Sequence, residues 1–182
     1  MRVHIVGASS SGTTTLGAAL AERLGGAHLD TDTFFWEATD PPFTTKRPEA
    51  ERVALMEAEM AGRSSWVISG SLMGWGDSFI PRFDLAVFLQ VPPGVRLARL
   101  MERERTRYGA AIEPGGAMHA QHLEFLEWAR GYDVPGFAGR SLERHLAWLA
   151  ELPCPVIRIA GTPRPEESLA CVMHALSEAS GS

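Results

Sequence analysis

Near its start a run of β-formers, Val3-His4-Ile5-Val6, opens into a glycine-bounded turn, Gly7-Ala8-Ser9-Ser10-Ser11-Gly12-Thr13-Thr14, which leads into a helix. No other feature restricts the fold as much. The two glycines let the backbone turn tightly between two rigid elements, and successive N–H groups can then point inward. From Thr13 onward Leu16, Ala19, Leu20 and Leu24 recur at helical spacing, and Gly25-Gly26 stops the run. A buried strand passing through such a turn into a helix is the opening unit of an α/β sheet.

The rest of the chain repeats the alternation. Strands are expected at 27–30, 66–70, 84–91 and 155–159, and helices at 48–61, 95–107, 118–130, 142–151 and 165–177. The 84–91 run is continuously apolar, as in a strand buried on both faces of a parallel sheet. Asp40-Pro41-Pro42 marks a loop, as do the glycines and proline of 108–116. These signals predict an α/β fold with a five-stranded parallel sheet flanked by helices and joined by right-handed crossovers. Ligands of such sheets sit beyond the carboxyl ends of the strands, where Gly7, Asp30, Gly70 and Gly161 converge. A chain of 182 residues without repeats or low-complexity linkers reads as one domain, 1–182.

The turn matches the phosphate-binding pattern G-x-x-x-x-G-K-[ST] with Thr13 in place of the lysine. Its glycines, inward N–H groups and helix dipole suit a phosphate, so Gly7, Ala8, Ser9, Ser10, Ser11, Gly12, Thr13, Thr14 and Thr15 are candidate ligands. Thr14 holds the position whose hydroxyl coordinates Mg²⁺ in that pattern. The competing reading is a plain strand-turn-helix connection whose Ser and Thr cap the helix. Lysine occurs only at Lys46 in the whole chain, against sixteen arginines. Any cation that replaces the missing lysine is therefore expected to be an arginine.

Asp30-Thr31-Asp32 follows the second strand, facing the turn in the expected topology. One carboxylate there can take a proton from a hydroxyl and the other can orient Mg²⁺; Asp32 is the first choice and Asp30 the second. An Asx turn or helix cap is the structural alternative. Arg96, Arg99, Arg103, Arg105 and Arg107 form a dense run, with Arg96, Arg99 and Arg103 on one helical face. With the glycine-bearing stretch after them they read as a lid over about 105–140 that brings Arg103 and Arg107 onto phosphates, and Arg140 is a further candidate. Glu102 and Glu104 support instead a solvated, salt-bridged helix. Trp36 and Trp75 are expected to line a substrate pocket, and Trp128 and Trp148 to pack helices together.

Composition excludes several classes. A net charge of -5 argues against a nucleic-acid binder with a broad basic face. No apolar run approaches the roughly 18 residues of a membrane span, and Met1 to Val6 lacks the pattern of a signal peptide. A cytoplasmic enzyme is expected. Cys154 and Cys171 are too few and too scattered for a disulfide or zinc framework and read as reduced thiols packed in the core.

On these residues the chain resembles the P-loop small-molecule kinases, among them adenylate kinase, other nucleoside monophosphate kinases, and shikimate- and gluconate-type kinases. More narrowly it is similar to a bacterial adenylate kinase-like group whose loop reads G-A-S-G-S-G-T-T-T, with Ser10 here where that group has glycine. The resemblance extends over Asp30-Thr31-Asp32, Pro41 to Arg47, the arginine helix and Gly136 to Ser141. It implies the P-loop NTPase fold, ATP and Mg²⁺ at the loop, a small-molecule phosphate acceptor near the acids, and Arg164 beside the adenine. The functional expectation is an ATP-dependent phosphotransferase acting on a nucleotide or a small hydroxylated metabolite. The alternative, favoured by Thr13, is a nucleotide-binding sensor with little turnover. Oligomeric state and acceptor identity are not legible.

Overall fold

Short β-rich runs punctuated by glycine and proline become strands, and all five lie parallel in a computed structural model that describes residues 1–180. They are β1 (Arg2–Gly7), β2 (Ala27–Asp30), β3 (Trp66–Ser69), β4 (Leu85–Gln90) and β5 (Val156–Ala160), in the order β2-β3-β1-β4-β5. In β1, Val3 sits opposite Val67 on one side and Leu85 on the other. The winding therefore changes direction around β1, which places a crevice beyond its carboxyl end.

Alternation of side chains divides the core. Val3, Ile5, Leu85, Val87 and Leu89 meet Leu16 and Leu20 of α1 (Thr13–Leu24) and Val172 of α7 (Pro165–Ser180). On the opposite face Val6, Ala86 and Phe88 pack on Leu149 of α6 (Leu142–Ala150). Leu29 and Ile68, on that same face, meet Met56 and Met60 of α3 (Glu49–Met60), with Phe79 and Phe83. Such fully buried aliphatic side chains each contribute about 1.5–3 kcal/mol relative to exposure.

A smaller cluster joins α4 (Pro93–Tyr108) to α5 (His119–Gly131) through Leu100, Leu126 and Ala129. Arg96 fastens it. Only 1% exposed, Arg96 donates to the Ala129 carbonyl, ion-pairs with Asp133 and lies 4.9 Å from the Tyr132 ring centre. This corrects the expectation that Arg96 shares a phosphate-facing surface with Arg99 and Arg103: its fork is consumed in helix packing.

Two further differences have local causes. The segment after β2 lies outside the expected helices, yet it forms a five-residue helix, α2 (Thr31–Phe35), in which Asp30 takes the alternative role of helix cap by accepting from the Asp32 N–H at 3.0 Å. Cys171 is exposed while Cys154 is half-buried, so only one thiol meets the core as expected. α7 buries the stripe holding Val172 and Leu176 and leaves Cys171 on its outer side. Among the described residues no helix is long and apolar enough to cross a membrane.

Candidate active site

The loop between β1 and α1 is a cradle with open donors. Gly12 adopts φ 96°, a left-handed conformation that favours glycine, and no side chain caps the N-terminus of α1 behind it. The first N–H groups of α1 and the positive end of its dipole therefore face the crevice. Ser10 is also left-handed, at φ 62°. A Cβ on Gly7 would come within 2.8 Å of the Leu89 carbonyl oxygen, so only glycine lets the loop sit this tightly on β4. The hydroxyls of Ser10 and Ser11 are buried and have no partner, which is costly unless something else completes them.

The loop floors a large cleft of about 2160 Å³, beyond the roughly 300–1,000 Å³ of a single small-ligand pocket and large enough for two ligands. Every candidate loop residue from Gly7 to Thr15 lines it, as do Asp30, Asp32, Arg103, Arg107, Arg140, Trp36 and Trp75. Arg140 arrives from the segment between α5 and α6 and donates from Nη2 to Ser9 Oγ at 3.3 Å. Its guanidinium lies 4.9 Å from the centre of the Trp128 ring, a cation–π position, and its Nε has no partner.

Asp32 lies on α2, across the cleft from the loop. It is open to the cleft yet crowded by its walls. Burial and the neighbouring Asp30 push its carboxyl above the ordinary value, while Arg140, Arg103 and Arg107 pull it down. A carboxylate so poised is a stronger base than a free one. Asp30 does a different job, since it caps α2 and thereby aims Asp32. Behind them Gly70, at φ 104°, leaves room that a Cβ would take from the Thr31 hydroxyl. The Gly70 carbonyl is held 2.9 Å from His4 Nε2.

Arg103 and Arg107 project from one face of α4. Arg103 has an unpartnered Nε and only a 3.7 Å ion pair to the buried Glu104. Burial presses its guanidinium pKa down, and the nearby Arg107 adds to this. Arg107 stands 4.4 Å over the Phe43 ring, and Tyr108 Oη donates to the Pro42 carbonyl at 3.3 Å. Both contacts tie α4 to the 37–46 loop, whose two ends are pinned by Glu37 N donating to the Thr45 carbonyl and Arg47 N to that of Phe35. Trp36 and Phe43, ring centres 6.2 Å apart, form an aromatic wall there.

The structure revises some expectations about the site. Arg164 does not line the cleft. Its backbone N–H and guanidinium both donate to the Glu167 carboxylate at the start of α7, and the side chain is 77% exposed. Thr162 and Pro163 line the cleft at that point instead. Trp75 is 5% exposed and packs with Phe35 and the Leu72–Phe79 cluster, so only an edge of it reaches the cleft. Trp128, expected to pack helices, does touch the α4–α5 cluster but also lines the cleft beneath Arg140. Phe43, which the sequence reading passed over, and Glu104, expected on a solvated, salt-bridged face but only 5% exposed, are cleft residues. The proline loop and the charge pattern respectively hid them.

The residues fit the groups that the fold implies. Uncapped N–H groups and two orphaned hydroxyls suit a phosphate chain. Among the described residues no cluster of three or more His, Cys, Asp or Glu is placed to hold a metal. Mg²⁺ does not need one, since it binds through one or two carboxylates, waters and substrate phosphates. Thr14 and Asp32 are the groups on the cleft surface suited to it.

No family model matches the chain. It is 44% identical over 175 residues to the uncharacterized protein YqaC of Bacillus subtilis (strain 168), covering 96% of this chain and 97% of that one. Over 115 residues it is 30% identical to the cytidylate kinase of Archaeoglobus fulgidus, spanning 57% of this chain and 62% of that protein. Among solved structures, shikimate kinase from Acinetobacter baumannii in complex with shikimate aligns over 97% of this chain and 93% of its own, with a TM-score of 0.59 at 15% identity. Deoxyadenosine kinase from M. mycoides with bound dATP aligns over 97% of this chain and 100% of its own, with a TM-score of 0.55 at 10% identity. These likenesses establish an α/β, P-loop kinase fold. By its identity along nearly all of both sequences, the chain belongs to the family of the B. subtilis protein YqaC.

Proposed function

We propose that this protein is an ATP-dependent phosphotransferase acting on a nucleotide or a small hydroxylated metabolite. The observation that carries the reading is the pairing across one cleft of an uncapped phosphate cradle, with two partnerless hydroxyls, and a carboxylate under the influence of three arginines, Asp32. A cleft that only held a nucleotide would need the cradle but not the acid. In this reading an acceptor hydroxyl gives its proton to Asp32 as its oxygen bonds to the γ-phosphorus of ATP. The bond from that phosphorus to the β–γ bridging oxygen breaks, and ADP leaves with the electron pair. Arg103, Arg107 and Arg140 offset charge on the moving phosphoryl group. Mg²⁺, when bound near Thr14 and Asp32, would neutralise charge on the phosphates. The stretch from about 105 to 140 serves as the lid, and the Trp36–Phe43 wall borders the acceptor side. The relatives that carry kinase names, for cytidylate, shikimate and deoxyadenosine, support a small-molecule acceptor.

Thr13 favours a second reading, a nucleotide sensor with little turnover. The two separate in one experiment. ADP release from Mg-ATP is measured with nucleoside monophosphates, nucleosides and hydroxy acids as acceptors, for wild type and Asp32→Asn. An acceptor-stimulated rate that falls by about 10²–10⁴-fold in Asp32→Asn is expected, the usual scale of a lost general base. ATP binding with no stimulation by any acceptor class would favour the sensor.

A further inference from the structure

The phosphate loop lacks its lysine, and the structure places a different cation against it. Arg140 is 131 residues away in sequence, yet its Nη2 meets Ser9 Oγ inside the loop. Three features combine at Arg140 and, among the described arginines of the cleft, at no other. Arg103 has Glu104 beside it and Arg107 leans on Phe43, whereas no carboxylate lies within ion-pair distance of Arg140 among the described residues. Its Nε is buried without a partner, and so are the hydroxyls of Ser10 and of Ser11, a residue only 5% exposed. Its position is fixed: the guanidinium rests on Trp128, and the next residue, Ser141, is 1% exposed and caps α6 by accepting from the Arg144 N–H at 3.3 Å. A partly buried cation with no carboxylate in ion-pair contact, against a loop with two buried hydroxyls that lack partners, is a cost that an anion would reduce.

We infer that Arg140 stands in for the missing lysine: together with Ser10, Ser11 and the loop N–H groups it forms a preset receptor for the terminal phosphates of a nucleoside triphosphate. The assignment deepens the phosphotransferase reading and rests on it. It gives Arg140 a duty distinct from that of Arg103 and Arg107. Those two sit on α4, tied to the 37–46 loop, whereas Arg140 already touches the phosphate loop before any ligand is bound. A planar fork also differs from an ammonium, because it can span two oxygens at once. Lys46, the one lysine of the chain, is the rival candidate. It lines the cleft but is exposed, on the strand-like bridge opposite Trp36.

The test is equilibrium binding of ATP, adenosine and inorganic tripolyphosphate to wild type, Arg140→Met, Arg140→Lys, Lys46→Met, Thr13→Lys and the double variant Thr13→Lys/Arg140→Met, with thermal melts of each. Arg140→Met is expected to weaken ATP and tripolyphosphate in parallel by about 10–150-fold, the range for a lost charged hydrogen bond. Adenosine should be unaffected. Thr13→Lys should restore most of that loss in the Arg140→Met background and add little to wild type. Should Arg140→Met also lower Tm, recovery of ATP affinity in the double variant without recovery of Tm still supports the assignment. So does intermediate affinity in Arg140→Lys. ATP affinity within threefold of wild type in Arg140→Met, a loss confined to Lys46→Met, or an equal gain from Thr13→Lys in both backgrounds would overturn it. If wild type binds neither ATP nor tripolyphosphate, the phosphate-site reading itself fails, an outcome distinct from these.

Discussion

His4 and His145 are both 0% exposed, and each supports the cleft from behind. His4 Nε2 meets the Gly70 carbonyl and its ring stacks on Phe83 at 5.0 Å, while His145 Nδ1 lies 2.7 Å from Tyr132 Oη. Burial pushes His4 down to about 4, partly opposed by its bond to Gly70. Burial pushes His145 down to about 3, and the nearby Arg140 and His4 add to this. The sign follows from linkage. Between their folded values and the ordinary 6.5 the unfolded chain binds more protons, so stability is fully present above pH 6.5 and is lost as pH falls toward 4. His4 alone is worth on the order of 3 kcal/mol over that window. Urea unfolding at pH 7.5 and 4.5 should show the loss, and an NMR titration should show neither ring protonating above pH 5. Titration of either near 6.5 in the native protein would remove this account. The other acceptor or donor on each ring, His4 Nδ1 and His145 Nε2, has no partner, which is tolerable only for neutral imidazoles.

Among the elements, the α4–α5 pair depends on a charge more than on its apolar area. Its buried cluster is small, and Arg96 sits inside it with Asp133 as counter-ion. Asp133→Asn would leave that guanidinium buried and uncompensated, at a cost of about 3–5 kcal/mol. Arg96→Met together with Asp133→Asn should cost less than Asp133→Asn alone, because the apolar side chain needs no counter-ion. Denaturant midpoints of the two variants against wild type decide it, and a near-neutral Asp133→Asn would contradict the fastening. Other elements show what was legible in the sequence. The boundaries of α1 and α3 could be read closely because Gly25 and Gly62 stand just beyond them, and β4 was plain from its apolar run. α2 was not, since five residues are too few for a helical period to show. The loop, Asp32 and the arginines were legible as a motif with position. The placing of Trp128 beneath Arg140, the capture of Arg164 by Glu167 and the inward turn of Arg96 were not. Each depends on which neighbour a side chain finds in three dimensions, and spacing along the chain does not encode that.

At the scale of the molecule, charge is distributed against the average. The chain carries a net charge of -5, yet seven cations against five carboxylates line the cleft. An anionic ligand entering there relieves the repulsion between Arg103 and Arg107 and offsets the cost of burying Arg140, while a neutral one leaves both in place. Ligand-linked stability should report this without any assumption about turnover. A ligand at one hundred times its dissociation constant adds about 2.7 kcal/mol. For a chain of 182 residues that corresponds to roughly 5–11 °C in Tm, at about 2–4 °C per kcal/mol. We therefore expect ATP and tripolyphosphate to raise Tm by that order, adenosine at the same concentration to raise it far less, and added salt to shrink the difference. Equal shifts from ATP and adenosine would mean that the base, and not the phosphate chain, dominates recognition. The cationic cleft would then need another explanation, with an anionic acceptor as the next ligand to test.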